Sequence, residues 1–186
     1  HMAENICGSF AMAKEIGVDT DIILSAIAKF KGVKRRLEKR YTNDITIYDD
    51  LAHSPTKAAA TLSTLRTIYP TSKIIAVFEP NTGNRKSQSA PGYANAFVNA
   101  DEVIIPTLTK VKVNKDDIDP PFDGDALQEI ISQTHTNTLF IPEDKDLIEH
   151  IKKTTNKGDV VVFLGSHGFR GMIDSLITFL HPPLPH

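Results

Sequence analysis

From residue 45 onward, short runs of β-branched and other apolar residues alternate with longer stretches whose apolar residues recur at helical spacing. Such alternation is typical of βαβ units, whose right-handed crossovers make the strands parallel and cover both faces of the sheet. We predict an α/β fold, a doubly wound, mostly parallel, Rossmann-like sheet with helices on both faces, preceded by a short helical segment. The predicted strands are 45–49, 73–79, 102–106, 138–142 and 159–165, and the predicted helices are 55–68, 92–100, 125–134, 144–154 and 171–180.

The residues before position 45 follow a different pattern. Two stretches, 5–17 and 21–30, have helical spacing and are joined by a turn at Gly17. A basic segment that opens with a glycine comes next, as is typical of a connector between domains. The expected organisation is a helical segment at 1–30, with His1 and Met2 as a cloning scar, a hinge connector at 31–44, the α/β domain at 45–180 and a flexible tail at 181–186.

Composition excludes several classes of protein. The formal net charge of −2 gives no reason to expect a general nucleic-acid or anionic-membrane partner, which would need a basic face, although it allows local basic clusters. Cys7 is the single cysteine, so no intramolecular disulfide forms, and no apolar stretch reaches the roughly 20 residues of a membrane span. We therefore expect a cytoplasmic protein with no nucleic-acid or membrane partner.

The turn after the first predicted strand carries Asp49, Asp50 and His53. In open α/β sheets, ligands bind outside the carboxyl ends of the strands, which is where this turn lies. Ser54 and Pro55 predict the start of a helix there. Two interpretations stay open: the aspartates form the turn beside a surface histidine, or they bind ribose hydroxyls or a metal-bound water while His53 contacts a phosphate or a carboxylate.

Two later turns and the connector carry further candidates. Residues 79–87 include Arg85, which either clamps a carboxylate with two hydrogen bonds or is a solvated cation on a loop. The glycine-rich residues 165–171 offer backbone N–H groups to an anion, although the Gly-x-Gly-x-x-Gly spacing of a dinucleotide loop is absent. In the connector, Arg35 and Arg36 either form a solvated basic face or meet a nucleotide phosphate between two domains.

A phosphoacceptor receiver domain is the main rival with an acidic pair after its first strand. Such a domain also needs an aspartate at the end of a later strand and a lysine after another. Here the strand at 102–106 ends in proline and threonine, and the strand at 159–165 leads to Ser166 and His167. The receiver interpretation fails on two of its three parts.

Three segments taken together resemble the C-terminal part of the Mur ligases: FKGVKRRLEKR at 30–40, YDDLAHSPT at 48–56 and AVFEPNTGNR at 76–85. Asn5 also lies where that family carries an asparagine at the end of its central domain. The family's enzymes have an N-terminal UDP-sugar domain, a central ATPase domain with a Gly-x-x-Gly-Lys-(Ser/Thr) loop, and a C-terminal α/β domain that brings the amine substrate. This chain has no such loop, so the resemblance implies the end of the central domain, the hinge and the C-terminal domain, with its own N-terminal and central domains as partners for turnover.

The resemblance implies an ATP-dependent ligase in the full-length protein. In the family, ATP phosphorylates the carboxylate of UDP-N-acetylmuramate with the help of Mg²⁺, and an amine attacks the acyl phosphate. The expected amine is the cell-wall tripeptide L-Ala-γ-D-Glu-meso-diaminopimelate of peptidoglycan recycling. The alternatives are single L-alanine as the amine, or a non-catalytic nucleotide-binding module. ATP and Mg²⁺ are expected mainly on the central domain, with no metal site in this chain.

The same resemblance assigns roles to individual residues. Asn5 is expected at the base or ribose of ATP, Arg36 at its phosphates or ribose, Asp49 or Asp50 at its ribose, and His53 at the reacting end. The residues expected around the third substrate are Asn84, Arg85, Ser166, His167, Phe169 and Arg170. This chain departs from the family where Asn81 follows the Glu-Pro pair in place of a basic residue, and where the turn at 165–171 is less rich in glycine.

Overall fold

The computed structural model describes residues 2–110 and 118–180, without the side chain of Met2. The predictions of a cloning scar at His1 and of a flexible tail at 181–186 lie outside the described residues. The chain divides into two compact units, His1–Val33 and Lys34–His186. The division falls inside the predicted connector, whose function as a hinge stays a prediction.

The first unit consists of two helices, α1 at Met2–Glu15 and α2 at Thr20–Lys29. Asp19 begins α2, because its carboxylate accepts a hydrogen bond of 2.8 Å from the backbone N–H of Asp21. Apolar side chains of both helices, among them Phe10 and Ile22, line a groove within this unit. The prediction of two helices joined by a turn is therefore confirmed.

The second unit contains a sheet of six strands in the order β1-β2-β6-β3-β4-β5, in which β1 is antiparallel to β2 and every other pair is parallel. This confirms the predicted mostly parallel sheet. The strands are β1 Glu38–Thr42, β2 Thr46–Asp50, β3 Ile74–Glu79, β4 Glu102–Ile105, β5 Thr138–Phe140 and β6 Val160–Gly165. The helices are α3 Pro55–Ile68, α4 Gly124–Ser132, α5 Asp144–Thr154 and α6 Met172–Leu180, with 3-10 turns at Thr82–Asn84, Ser87–Tyr93 and Phe169–Gly171.

Both faces of the sheet are covered. Along β3, Ala76 and Phe78 join the core beneath α3 and α4, while Ile75 and Val77 join the core beneath α5 and α6. With both faces buried, charged side chains have access to ligands only at the ends of the strands. No helix among the described residues is long and apolar enough to cross a membrane.

The helix predicted at 92–100 is wrong. The chain forms a 3-10 helix at Ser87–Tyr93 and then a series of turns closed by bonds between residues three apart, such as that from Ala100 N to Phe97 O. Asn95 has a φ of 58°, which an α-helix does not allow. The buried side chains still recur at intervals of three and four residues, and this spacing imitated a helix.

The strand β1 was not predicted, because its residues lie in the basic connector. Its sequence, EKRYT, has no apolar alternation, and it pairs at the edge of the sheet from Glu38 opposite Asp49 to Thr42 opposite Thr46. Charged residues are usual on an edge strand, where they discourage pairing with other chains. Part of the connector is therefore built into the α/β unit.

Candidate functional site

The candidate site lies at the carboxyl ends of β2, β6 and β3, which are neighbours in the sheet. Asp50 lies opposite Leu164 and Glu79 lies opposite Gly165 in the register of these strands. The turns that follow the three strands therefore begin at one edge. They carry most of the residues that the sequence analysis selected.

Arg35 joins the connector to the turn after β6. Its Nη2 donates to the carbonyl oxygens of Gly165 and His167, both at 2.7 Å, and its Nη1 donates to that of Ser166 at 3.0 Å. Its Nε lies 3.2 Å from Asp49 Oδ2. One guanidinium thus holds three consecutive carbonyls and a carboxylate.

The backbone around this arginine is strained. Arg35 and Leu37 have φ values of 56° and 50°, in the left-handed region that non-glycine residues seldom adopt. Two carboxylates hold this conformation, because Arg35 N donates to Glu38 Oε2 at 2.8 Å and Leu37 N donates to Asp50 Oδ2 at 2.6 Å. The conformation of the connector is therefore fixed by the site.

Arg36 lies between these two anchored residues. It is exposed, and its guanidinium makes no hydrogen bond or ion pair within the part of the chain that the structure describes. A permanently charged fork on a fixed backbone is suited to a phosphate. The structure therefore distinguishes the two neighbouring arginines, since Arg35 is an internal brace and Arg36 is the one presented to solvent.

Asp49 and Asp50 are both buried and both hold the turn. Burial raises the pKa of Asp49, against the opposing charges of Arg35 and Arg40. Asp50 Oδ1 accepts from Ala52 N at 2.8 Å, while its Oδ2 accepts from the connector. These contacts match the turn-forming interpretation, and contact of either aspartate with a ribose stays a prediction.

His53 is half-buried with a defined tautomer. Its Nδ1 lies 2.8 Å from the carbonyl oxygen of Leu51, which can only accept, so the neutral ring carries its hydrogen on Nδ1. The other ring nitrogen, Nε2, has no hydrogen-bond partner among the described residues. The backbone of His53 also accepts from Asn81 N at 3.2 Å, which connects this turn to the one after β3.

Arg85 is buried and is hydrogen-bonded to described residues on either side of positions 111–117. Its Nε donates to Phe122 O at 2.8 Å and its Nη1 donates to Thr109 O at 2.9 Å. Burial lowers the pKa of Arg85. Asn84 lies on the 3-10 turn before it and accepts, through its carbonyl oxygen, from the Tyr93 hydroxyl. Arg85 is a brace for the loop in this structure, and its predicted contact with a substrate carboxylate stays a prediction.

Arg170, in the turn after β6, forms a bidentate ion pair with the carboxylate of Asp144. Arg170 Nε and Nη2 donate to the two oxygens of Asp144 at 3.0 and 2.7 Å, and Nη1 donates to Thr107 O at 2.9 Å. The hydrogen bonds to Asp144 raise the pKa of Arg170. Its φ of 51° directs the chain sharply into α6. Arg170 therefore sits at the rim with all three guanidinium nitrogens engaged.

The other predicted residues of this turn differ in exposure. Phe169 is buried, and its ring packs edge-on against Phe163 with centroids 5.2 Å apart. Ser166 Oγ lies 3.2 Å from Nδ1 of His167, whose side chain is half exposed. Phe169 thus anchors the turn in the core, while Ser166 and His167 face outward.

Glu79 is the residue that the sequence analysis did not select. It ends β3 with 1% of its surface exposed. Its Oε1 accepts from the N–H and the hydroxyl of Thr109 at 2.8 and 2.6 Å, whereas its Oε2 accepts no hydrogen bond from any described residue. Nη1 of Arg170 lies 3.8 Å from Oε2, and Nδ1 of His167 lies 3.8 Å from Oε1. A single acid at the end of an otherwise apolar strand was the available signal.

Gly165 is required where β6 passes β3. A β-carbon on this residue would lie 2.8 Å from the carbonyl oxygen of Glu79 and 2.8 Å from the ring of Phe169. No side chain fits that gap. The close approach keeps Glu79 against the turn after β6.

Asn5 is exposed on α1, in the first of the two compact units. The remaining predicted residues belong to the second unit, where Arg35 joins the turns after β2 and β6, and Thr109 links Glu79 to Arg85. Among residues 2–110 and 118–180 there is no group of three or more histidine, cysteine, aspartate or glutamate side chains that could hold a metal ion.

Comparison with known proteins identifies one family. A sequence model described as Mur ligase, glutamate ligase domain, matches residues 35–167. The UDP-N-acetylmuramate–L-alanine ligase of Brachyspira hyodysenteriae is 31% identical over 166 residues, which make up 89% of this chain and 35% of that relative. The chain spans little more than a third of the length of such curated relatives.

Two solved structures share the fold. A UDP-N-acetylmuramate–alanine ligase from Thermotoga maritima superposes with a TM-score of 0.76 at 22% identity, covering 97% of this chain and 37% of that one. A murein peptide ligase from Psychrobacter arcticus superposes with a TM-score of 0.68 at 25% identity, covering 99% of this chain and 38% of that one.

Proposed function

The chain belongs to the Mur ligase family through its C-terminal domain, and from this premise we propose that it supplies the amine-substrate domain of an ATP-dependent carboxylate–amine ligase. The full-length protein joins an amine to the carboxylate of UDP-N-acetylmuramate in the cytoplasm. When bound, ATP supplies the phosphoryl group that activates this carboxylate. The catalytic contribution of the chain is mainly positioning and charge neutralisation.

The proposed amine donor is L-Ala-γ-D-Glu-meso-diaminopimelate, which makes the protein an enzyme of peptidoglycan recycling. The 25% identical murein peptide ligase of Psychrobacter arcticus supports this choice. Single L-alanine is the second candidate, favoured by the curated L-alanine ligases that are 30–32% identical to this chain. Both donors present an L-alanyl ammonium group, so both place the same chemistry at the reacting end.

One observation carries the proposal: the connector with Arg36 and the turn with His53 form one hydrogen-bonded unit. Leu51 N donates to Arg35 O at 2.9 Å, and Leu37 N donates to Asp50 Oδ2 at 2.6 Å. These hydrogen bonds hold the segments that carry the exposed guanidinium of Arg36 and the imidazole of His53 next to each other. This arrangement supports the proposal that Arg36 binds a phosphate while His53 lies nearby at the reacting end.

The residues present fit ATP in part. We assign the ATP phosphates to Arg36, and the base or ribose to Asn5. The oxygens of Asp49 and Asp50 already accept hydrogen bonds, so a ribose hydroxyl would have to share them. We propose that Mg²⁺ binds mainly on the central domain of the full-length ligase.

The test uses the full-length protein with UDP-N-acetylmuramate, ATP and Mg²⁺. We expect ADP release when the tripeptide is present, and no ADP release when the amine donor is left out. Faster release with L-alanine than with the tripeptide would establish the second candidate. Absence of release with either donor would refute the ligase function and leave a nucleotide-binding module.

Arg36→Ala tests the phosphate assignment within the same assay. We expect kcat to fall by about tenfold or more, because a charge-assisted contact to a phosphate is lost. Lys34→Ala removes another exposed cation of the connector and is the matched control, with little change expected. Equal kcat values for the two variants would contradict the assignment.

A further inference from the structure

The carboxylate of Glu79 is buried at the ligand-binding edge with one oxygen unused. Oε1 is satisfied by two bonds from Thr109, but Oε2 accepts none from the described residues. A buried carboxylate oxygen without a donor is destabilising, so native structures seldom keep one without a function. The feature calls for a donor that the described residues do not supply.

The basic side chains of Arg170 and His167 do not satisfy this oxygen. Arg170 Nη1 lies 3.8 Å from Glu79 Oε2, beyond hydrogen-bond distance, and donates to Thr107 O instead. The other two guanidinium nitrogens of Arg170 are held by Asp144. Nδ1 of His167 lies 3.8 Å from the other oxygen, Oε1, which is also beyond hydrogen-bond distance. The region around Glu79 is therefore charged but lacks a hydrogen bond to Oε2.

Glu102 shows how the same chain treats a buried glutamate with a structural role. It begins β4, the strand next to β3, and 4% of its surface is exposed. Its Oε2 accepts from Lys73 Nζ at 2.7 Å and its Oε1 is bonded to His150 Nε2. Two glutamates of similar burial thus lie on neighbouring parallel strands, and only the one at the ligand-binding edge has an unused oxygen.

We propose that Glu79 binds the ammonium group of the amine donor through Oε2, an inference that rests on the proposed ligase function. An ammonium group carries three donors and a positive charge, which match an unpaired carboxylate oxygen. The L-alanyl end is common to both candidate donors, so the assignment holds for either. Bound there, the amine lies by the carboxyl ends of β3 and β6, with the exposed His167 alongside.

Kinetics of the full-length enzyme test this binding. Glu79→Gln keeps an oxygen for Thr109 but removes the charge, so KM for the amine donor is expected to rise by about tenfold or more. KM for ATP and for UDP-N-acetylmuramate is expected to stay within about twofold. A structural role alone would raise all three KM values or none, and either result would overturn the proposal.

Glu102→Gln is the matched control. It removes the same charge from an equally buried glutamate, but at the opposite end of the sheet. We expect a lower melting temperature with an unchanged KM for the amine donor. A rise in that KM equal to the rise in Glu79→Gln would show that any loss of a buried glutamate disturbs the site, and would also overturn the proposal.

A binding measurement on the 186-residue chain itself is independent of turnover. Carbon-13 spectra of the glutamate carboxyl groups, with the Glu79 signal assigned by Glu79→Gln, are followed during titration with L-alanine methyl ester. This probe has an ammonium group and no carboxylate. We expect a saturable shift of the Glu79 signal, and no shift with N-acetyl-L-alanine methyl ester, which lacks the ammonium.

The two experiments fail in different ways. An active ligase whose Glu79 signal does not respond to the ammonium probe overturns the Glu79 assignment and leaves the proposed function intact. A saturable shift in a protein with no amine-dependent ADP release overturns the ligase function, while the ammonium site remains.

Discussion

At the amino end of the sheet, Glu102 is paired with Lys73 and His150, and Asp159 accepts hydrogen bonds from the backbone N–H groups of Lys73 and Asn156. At the carboxyl end, by contrast, Glu79 Oε2 accepts no hydrogen bond from the residues that the structure describes. Both ends bury carboxylates to a similar degree. The amino end uses them to hold strands and helices together. The carboxyl end exposes Arg36 and leaves Glu79 incompletely bonded, which is the pattern expected where binding has been favoured over stability.

The contrast also separates neighbouring residues within the carboxyl end. Arg35 and Asp50 make several hydrogen bonds that hold the connector and the turn. The Arg36 guanidinium and His53 Nε2 have no hydrogen-bond partner among residues 2–110 and 118–180. Residues that hold the structure and residues proposed to bind a ligand therefore alternate along the connector and the turn. The variants below test whether stability and binding can be removed separately.

The largest expected effect is that of Arg35→Ala. It removes the donor to three carbonyls and leaves the buried Asp49 with the longer ion pair to Arg40, whose Nη1 lies 3.7 Å from Oδ2. We expect the free energy of unfolding to fall by about 3 kcal/mol, the size typical of removing one partner from a buried ion pair. Arg36→Ala is the neighbouring control, with a change within about 0.5 kcal/mol. Urea denaturation measures both, and equal losses would break the distinction between brace and binding group.

Gly165→Ala is expected to follow. Its β-carbon meets the carbonyl of Glu79 and the ring of Phe169 at 2.8 Å, so β3 and β6 must separate. Overpacking of this kind costs about 1–3 kcal/mol. Gly168→Ala, in the same turn, meets nothing within 4 Å and has a φ of −81°, so little change in urea midpoint is expected. Tolerance of Gly165→Ala would mean that the edge is looser than the structure shows.

The two glutamates give a smaller difference in stability. Glu102→Gln loses the hydrogen bonds that its carboxylate accepts from Lys73 and His150, which is expected to cost about 1–2 kcal/mol after allowance for the partial exposure of both partners. Glu79→Gln is expected to change stability by no more than about 0.5 kcal/mol, because it retains an acceptor for Thr109. Thermal unfolding of both variants compares them directly. A larger loss for Glu79→Gln would reverse the assignment of the two ends.

The smallest effect is on the pH dependence of stability. Burial acts to raise the pKa of Glu102, but hydrogen bonds and charges from Lys73 and His150 hold it below its ordinary value. Its stabilising contribution is present above the unfolded pKa of about 4.3 and is lost as the pH falls through the lower folded pKa. The melting temperature of Glu102→Gln is therefore expected to fall less steeply with acid than that of the unmodified chain.

Asp49 has the opposite linkage, because burial raises its pKa. Its ionisation opposes folding as the pH rises through the folded pKa, so protonation in acid offsets part of the loss from Glu102. Asp49→Asn removes this offset, and its melting temperature is expected to fall more steeply with acid. Parallel curves for Asp49→Asn and Glu102→Gln would contradict the difference between the two ends.

The sequence predicted the helices and strands with a clear apolar periodicity, but it missed the polar edge strand β1 and misidentified the segment at 92–100. The helix at 144–154 was predicted with the bounds of α5, because its apolar residues recur at helical spacing and it lies between strong strands. The edge strand β1 has no such spacing, whereas the turns at 93–100 have buried side chains whose spacing imitates a helix. Periodicity detects burial, and it identifies an element only when burial and backbone geometry agree.

The candidate site divides in the same way. The position of Asp49, Asp50 and His53 followed from local turn chemistry and from the rule that ligands bind at the carboxyl ends of strands. The contacts of Arg35 could not be predicted, because they require left-handed backbone at non-glycine residues and carbonyls more than 100 positions away. The burial of Arg85 and the unused oxygen of Glu79 likewise depend on a distant loop at Thr109.

The grip of Arg35 on three consecutive carbonyls has a mechanical consequence. The turn at 165–167 cannot shift without moving the residue that precedes Arg36. We therefore expect the proposed phosphate site at Arg36 and the proposed amine site at Glu79, which lies opposite Gly165, to keep a fixed separation. If the full-length ligase undergoes a large domain motion, we expect the connector and the turns after β2, β3 and β6 to move together as one body. Opening after reaction would then release product without rebuilding the site for the next turnover.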